Sequence, residues 1–490
     1  VPLRRLYLGD NAVLFAFLLS TLLIFSSKHF HGKGVGDGFI EYEVARRIVE
    51  SGAVDLPQHR GWRDARIQEG RGGKYFSWYG FGQSLLFVPA VAADKFAIRA
   101  AGILPPSLKG RPFIEPFFIS KSANAFVLAM TGVCLFSLLG DLGISRSVSS
   151  MTTVMYVFGS MALVYSTLSF DISLSVLLLL WGFLCLFRAV DRARPAYWLY
   201  AGLLLGFSVV TRVSAVIFFL PVAVFVLSPR SSSRPYVRAR LRATALLLAG
   251  ILPLALLFFW YNYHRFGSLF YLGYDRATSP FDFSASLLES APALLFSPGR
   301  GLFVFSPVLA LSVLGVPAFV RAGRIKAVAV LLAVLVNFLF FAKWSWWATP
   351  NAWGPRFQLP TVALMFIPLA YWLEGRWRRG SPAFRRLIVA AFAICVLLQL
   401  VPAVGGYSAA GTDSTSYWNW GDAQLPTAVG NLWAIAADGR WDAAWPWWAA
   451  PGAHGLPILI LLVVIVAASL LSLLLLCRML GRGPTSEGAA

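Results

Sequence analysis

Val35-Gly-Asp-Gly-Phe-Ile-Glu-Tyr-Glu-Val-Ala-Arg-Arg-Ile-Val-Glu-Ser-Gly52 follows the first long apolar segment of the chain. Ile40, Val44 and Ile48 recur every four residues, so they stack on one face of a helix, and Gly52 is a C-terminal stop. Arg46 and Arg47 fall toward the other side of the same turns. The pattern predicts a helix lying along a membrane surface, with the carboxylate of Asp37 at its start. Asp37 suits a helix N-cap, where a carboxylate satisfies orphan backbone N–H groups. It also suits a general base at the outer membrane face, helped by Glu41 one turn on, since a carboxylate within hydrogen-bond reach can take a proton from an attacking hydroxyl.

The surrounding chain says why a membrane is the frame. Of 490 residues, 58% are hydrophobic and 13% charged, against roughly 25% charged in soluble domains, and mean hydropathy is +0.68. Apolar runs of membrane-spanning length recur without the alternation of a β-barrel, so the expected class is an all-α polytopic membrane protein. The runs fall near 11–28, 118–139, 147–167, 172–187, 196–210, 213–228, 243–261, 302–320, 326–342, 357–373, 387–403 and 456–476, about twelve helices by the length rule. The two runs around Arg212 are short enough to be tilted, kinked or re-entrant. Ser84–Ala93 is too short to span and is expected in the interface.

The formal net charge of +20 does not imply nucleic acid, because no nucleic-acid-binding module accompanies it. The cations instead crowd short loops: Arg188-Arg192-Arg194, Arg230 to Arg242, Arg321-Arg324-Lys326, Arg376 to Arg386 and Arg478-Arg482. With Arg4 and Arg5 inside, every dense loop lands on the same side, which predicts a cytoplasmic-membrane protein with both termini cytoplasmic. The first run follows Arg4 and Arg5 without a small-x-small cleavage site and reads as a retained signal anchor. Cys134, Cys185, Cys395 and Cys477 lie in or beside apolar runs with no paired spacing, so neither a disulfide nor a zinc framework is expected.

Four long segments fall outside: 29–117, 262–301, 343–356 and 404–455. They hold or border all five histidines, His29, His31, His59, His264 and His454, and most tryptophans. Many of those tryptophans suit an interfacial belt. Tyr417-Trp-Asn-Trp-Gly-Asp422, with Trp418 and Trp420, suits a surface that stacks on sugar rings. The chain divides into a core at 1–403 containing the first outer loop, a Trp-rich outer loop at 404–455, and a last span and tail at 456–490.

Asp171, in Ser166-Thr-Leu-Ser-Phe-Asp-Ile-Ser173, stands at the outer end of two adjoining runs, as a turn residue or as a second acid of a site. Arg212, Arg300, Lys343 and Arg356 fall on the same side. One alone could snorkel, whereas several converging beside Gly-Pro turns suit a phosphate clamp, because guanidinium matches phosphate oxygens bidentately. Asp37, Glu41, Glu43 and the outer histidines could assemble a divalent metal site, although no H-E-x-x-H or comparable spacing exists.

An acidic residue in the first outer loop, followed by a helix ending in Ala45-Arg46 and Gly52, resembles the GT-C superfamily of membrane glycosyltransferases. The nearest style is that of the lipid-A aminoarabinose transferases and protein O-mannosyltransferases. Gly73-Lys-Tyr-Phe-Ser-Trp-Tyr-Gly-Phe-Gly-Gln-Ser-Leu-Leu86 is similar to the loop leading into an interfacial helix, and Asp171 to the acidic residue before a later span. Trp260-Tyr-Asn-Tyr-His-Arg-Phe-Gly-Ser268, Phe296-Ser-Pro-Gly-Arg-Gly-Leu302 and Trp353-Gly-Pro-Arg-Phe-Gln-Leu-Pro360 resemble segments of bacterial members. One departure is Gly38, which stands where the mannosyltransferases have a second acid and leaves open whether Glu41 or Glu43 helps Asp37. A separate soluble C-terminal domain, as the larger oligosaccharyl and arabinosyl relatives have, is not expected from this sequence.

The resemblance implies inverting transfer of a sugar from a polyprenyl-phosphate carrier to a glycan, lipid or protein hydroxyl on the outer face. Asp37, Asp171 and Glu41 would be catalytic. Arg356, Arg212, Arg300 and Lys74 would bind phosphate, and Tyr75, His264, Trp353, Trp418 and Trp420 sugar or acceptor. The donor and membrane lipids are the expected partners. A lipid or glycan transporter would instead place ionisable groups at the bilayer midplane on paired halves, and a non-enzymatic assembly subunit would keep the tryptophans and tolerate loss of Asp37.

Overall fold

The computed structural model describes residues 2–26, 37–57, 66–101, 118–228, 234–274, 282–348, 352–377, 379–406, 417–421, 423–437 and 463–475. Its helices are α1 (Pro2–Ser26), α2 (Asp37–Ser51), α3 (Phe81–Ala101), α4 (Phe118–Asp141), α5 (Arg146–Gly159), α6 (Ala162–Ser166), α7 (Asp171–Asp191), α8 (Ala196–Thr211) and α9 (Phe219–Leu227). They continue with α10 (Arg234–Phe266), α11 (Leu287–Phe296), α12 (Leu302–Phe305), α13 (Ala310–Ala322), α14 (Arg324–Lys343), α15 (Leu359–Trp377), α16 (Pro382–Gly405) and α17 (Gln424–Ala437), and α18 (Val463–Leu475). The chain is a polytopic all-α membrane protein. His29, His31, His59, His454, Trp62, Trp441, Trp445, Trp447, Trp448, Cys477 and most of 404–455 lie outside the described residues.

Seven of the expected spans are continuous helices long and apolar enough to cross a bilayer: those of α1, α4, α7, α10, α14, α15 and α16. Two others are interrupted, and a third break falls between two of the short runs. The run at 147–167 breaks at Ser160, whose backbone is extended between α5 and α6. Arg212 is likewise extended between α8 and a 3₁₀ turn at Val213–Phe218 that leads into α9. The run at 302–320 breaks at Ser306-Pro307 between α12 and α13. Backbone groups freed at membrane depth need partners from neighbouring elements, and two of these breaks supply each other: the Met161 N–H donates to Ser306 Oγ at 3.2 Å.

In the packing, α4 lies between α1 and α7, α8 between α7 and α10, and α15 against α13. The main apolar core runs through these helices and is built of Leu, Phe, Val and Ala. α2 departs from the surface-lying helix expected of it. Ile40 and Val44 pack with Phe81, Val210 and Tyr261, while Tyr42 and Ala45 on another face pack with Phe87 and Val91 of α3. The helix is therefore covered on two sides, and Glu41 and Glu43 are buried with it. Gly52 ends it as expected, with a positive φ of 67° and its N–H on the Ile48 carbonyl.

A small hairpin, β1 (Ile67–Glu69) paired antiparallel with β2 (Tyr75–Ser77), precedes α3. It docks on the end of α10, where buried Arg265 donates to the carbonyls of Ser77 and Tyr79 and lies 3.9 Å from the Tyr261 ring centroid. α3 begins at Phe81, so the expected interfacial segment at 84–93 is the first half of a longer helix packed on α2 and α4.

Candidate active site

Two aspartates open two helices, and an arginine meets each. Asp37, the first residue of α2, accepts from Arg356 Nη1 at 3.0 Å on Oδ2, and Arg66 Nη1 stands 3.6 Å from Oδ1. The Tyr79 hydroxyl completes its surroundings. Asp171, the first residue of α7, takes both oxygens to Arg212 Nη1 at 2.8 and 3.0 Å. A carboxylate at a helix N-terminus is favoured by the helix dipole. Both arginines sit where helical backbone stops, Arg212 at the end of α8 and Arg356 on the turn entering α15. Their guanidinium carbons each lie 4.9 Å from the centre of the Phe357 ring, and that of Arg356 lies 4.7 Å from Phe170, so the two pairs share an aromatic wall.

Close backbone contacts hold this arrangement. A Cβ on Gly38 would lie 2.0 Å from the Ser169 carbonyl oxygen, so the loop entering α7 fills the space where a side chain would stand. That is a physical reason for the missing second acid. Gly80 and Gly82 press in the same way on Thr211, next to Arg212. Between the two contacts, Gln83 Nε2 donates to Asn124 Oδ1 at 3.1 Å, and Asn124 Nδ2 donates to the carbonyls of Leu168 (2.5 Å) and Phe170 (3.0 Å). One tetrapeptide, Gly80-Phe-Gly-Gln83, thus positions both members of the Asp171–Arg212 pair.

Arg356 is braced from behind. The Trp353 carbonyl accepts from the Tyr165 hydroxyl at 2.8 Å, its indole N–H donates to Gln399 at 3.0 Å, and the Gly354 N–H donates to Gln424 Oε1 at 2.9 Å. Arg300 is buried and donates to the carbonyls of Gly299 and Ala352, both at 3.1 Å. It supports the loop that carries Arg356, so its place does not suit the phosphate contact expected of it. Trp353 is fully buried and offers no ring face to a sugar. Gln424, the first residue of α17, ties that helix to the same loop by accepting from the Gly354 N–H and donating to the Ala352 carbonyl.

The remaining expected residues lie elsewhere. Lys74 is largely exposed and pairs with Asp55 at 3.4 Å. Tyr75 sits on β2 and bridges to Leu56. His264 is exposed and stacked on Trp260, and Lys343 Nζ donates to the Ala285 carbonyl at 2.9 Å. Trp418 and Trp420 are exposed, 52% and 57%. Among the described residues no three His, Cys, Asp or Glu side chains group to hold a metal ion.

Electrostatics separates the acids. Burial alone would raise Asp37, but Arg356, Tyr79, Arg66 and Arg212 outweigh it and hold the carboxyl below its usual range. Glu41 goes the other way: burial first, then Asp171 and Asp37, push it well above its usual range. The geometry amounts to a hydrogen-bonded carboxylate beside a cationic wall, with a second, buried carboxyl one turn behind it whose pKa burial pushes up.

No family model matches the chain, and no curated protein matches it. Among solved structures, it is similar to ArnT from Cupriavidus metallidurans bound to undecaprenyl phosphate, at 15% identity and a TM-score of 0.52 over 94% of this chain and 76% of that one. The apo state of that protein matches equally. The Archaeoglobus fulgidus oligosaccharyltransferase in its apo form matches at 14% identity and a TM-score of 0.50, over 92% of this chain and 58% of that one. The chain shares the fold of these two proteins.

Within that fold, Arg66, Tyr79, Gln83, Asn124 and Arg265 join the site's surroundings although the sequence reading did not single them out. Gln83 and Asn124 carried a usable signal, as amides inside otherwise apolar runs. Arg66 and Tyr79 carried none, because their place depends on how the hairpin docks.

Proposed function

We propose that this protein is an integral-membrane glycosyltransferase that moves a sugar from a polyprenyl-phosphate carrier to an acceptor hydroxyl on the extracytoplasmic face, with inversion at the anomeric carbon. The observation that carries this reading is the ionised Asp37 held against Arg356, with Arg212 on the same aromatic wall. The polyprenyl phosphate bound to the Cupriavidus protein is the chemistry such a wall suits.

In the reaction, the acceptor oxygen forms a bond to the anomeric carbon as the bond from that carbon to the phosphate oxygen breaks. The electron pair leaves with the phosphate, so the leaving group needs no proton. Arg356 and Arg212 stabilise the charge that gathers there, and Asp37 takes the acceptor's proton. Arg356 Nη1 donates to Asp37. A bound phosphate competes for that guanidinium and relieves the restraint on Asp37, so donor binding makes the base stronger. No step is routed through a metal ion, for which the described residues present no ligand group.

The test is transfer from a polyprenyl-phosphate sugar by Asp37→Asn in proteoliposomes. Removal of a general base lowers rates by about 10²- to 10⁴-fold, and a loss in that range is expected, with the melting temperature kept within a few degrees. A folded Asp37→Asn protein with the full rate removes Asp37 from this role and the reading with it.

A further inference from the structure

Arg356 is carried by the turn that enters α15, and one side chain from α17 holds that turn on both sides of Trp353. Gln424 is 2% exposed. Its Oε1 accepts from the Gly354 N–H at 2.9 Å, and its Nε2 donates to the Ala352 carbonyl. Gly354 hands its position on to Arg356 through a stiff step. Pro355 has φ −82° and ψ 78°, and the Arg356 N–H closes on the Gly354 carbonyl at 3.0 Å, an inverse γ-turn whose centre the pyrrolidine ring fixes. Gly354 has a positive φ of 62°, and a Cβ on it would lie 2.7 Å from Phe305 Cγ, so the turn is confined from that side as well. The stretch that brings Gln424 is pinned a second time. The Tyr417 carbonyl accepts from the Gly299 N–H at 2.9 Å, next to Arg300, which donates to the same Ala352 carbonyl.

We propose that Gln424 is a positioning residue for the donor: through Gly354 and the turn at Pro355 it fixes the point from which the Arg356 guanidinium meets the phosphate. The inference rests on reading Arg356 as a phosphate contact. Buried backbone groups need partners, and Gln424 supplies them for one carbonyl and one N–H. That need alone would make it structural. What extends its part is the short path from Gly354 to Arg356. A turn already in place presents the guanidinium to the phosphate, whereas a loosened turn must be ordered at the moment of binding, and that ordering is subtracted from affinity. Gln424 acts on the donor through Arg356, so its loss is felt only while Arg356 is there. On this view α17 belongs to the donor site.

The probe is undecaprenyl phosphate, its Kd measured on the purified full chain in nanodiscs at one pH and ionic strength. Gln424→Met keeps the length of the side chain and removes both hydrogen bonds. It is expected to weaken binding by about tenfold, the scale of one misplaced charge-assisted hydrogen bond. Arg356→Gln is expected to weaken it at least as much. Gln424→Met added to Arg356→Gln should then weaken it no further, because residues on one path are not additive. Pro355→Ala frees the turn without removing a hydrogen-bond partner and takes the place of Gln424→Met should that variant not fold. Its expected loss is about threefold, again absent beside Arg356→Gln. Wild-type affinity in the variant read, or the same loss with and without Arg356, overturns the assignment of Gln424 and leaves the donor site standing. A wild type that does not bind the lipid, or an Arg356→Gln protein that binds it as tightly as wild type, overturns the donor reading on which the inference rests.

Discussion

Asp171 and Arg212 make an ion pair largely withdrawn from water, their side chains 6% and 20% exposed. Removing one partner leaves an uncompensated charge beside Phe357, which for buried pairs costs about 3–5 kcal/mol, whereas replacing both by apolar groups of similar volume is often close to neutral. Asp171→Asn is therefore expected to lower the thermal midpoint in detergent, and Asp171→Leu combined with Arg212→Met to recover most of it without restoring transfer. A double variant no more stable than Asp171→Asn would show that the pair is not the unit that matters. The other two acids respond to pH with opposite signs. Asp37 is depressed in the folded chain, so its share of stability is present above its ordinary pKa and is lost as pH falls through the folded value. Glu41 is raised, so the folded chain holds a proton that the unfolded chain releases, and stability falls as pH rises above the ordinary glutamate range. Glu41→Gln removes that penalty. It should melt above the wild type at pH 8, and the gain should shrink toward pH 4; a gain independent of pH would point to packing instead.

At the scale of elements, the starts of α2 and α7 and the loops that touch them decide the site. Gly38→Ala would drive a methyl into the Ser169 carbonyl, so the loop entering α7 must move and Asp171 with it. Overpacking of this kind costs about 1–3 kcal/mol, and transfer should fall at least tenfold. Gly52→Ala is the control: its φ of 67° disfavours a side chain, but the space around it is open, so it should cost about 1 kcal/mol and leave transfer unchanged. Equal losses of transfer in both would show that the α2–α7 contact has no special part in the site. The sequence made α2 legible as a helix, because Ile40, Val44 and Ile48 share a face and Gly52 stops it. Its second buried face was not legible, since Tyr42 and Ala45 are buried by α3, an element whose length apolar runs understated. The gap at Arg212 showed as two short runs, but the breaks at Ser160 and Ser306 escaped for a related reason: hydropathy counts side chains, whereas a break depends on partners for backbone groups, and the Met161 N–H finds one in the Ser306 hydroxyl, 145 residues away in the chain.

Across the whole molecule, one helix fixes the frame. α7 runs from Asp171 in the site to Asp191, which pairs with Lys326 at 2.6 Å, and its 21 residues rise about 30 Å, the thickness of a bilayer's hydrocarbon core. Near its far end Arg188 and Arg192 hold Asp141 at 2.5 and 2.9 Å. The site and the arginine-rich loops are thus at opposite ends of one span, as loop charge implied before any partner of Asp37 was known. The pairing of Asp37 with Arg356 itself, 319 residues apart, has no local signature; the sequence could only put both on one side. Orientation in the membrane follows if the cationic loops are cytoplasmic, and thiol labelling tests it. In a chain with its four cysteines replaced, Trp418→Cys, at an exposed position, should react with a membrane-impermeant maleimide in intact cells. Ala322→Cys, exposed at the end of α13 beside Arg321 and Arg324, should react only after the membrane is opened. The reverse pattern would turn the molecule over, put Asp37 and Arg356 on the cytoplasmic side, and require a donor that presents its sugar there, which would overturn transfer at the outer face while leaving the chemistry of the two ion pairs intact.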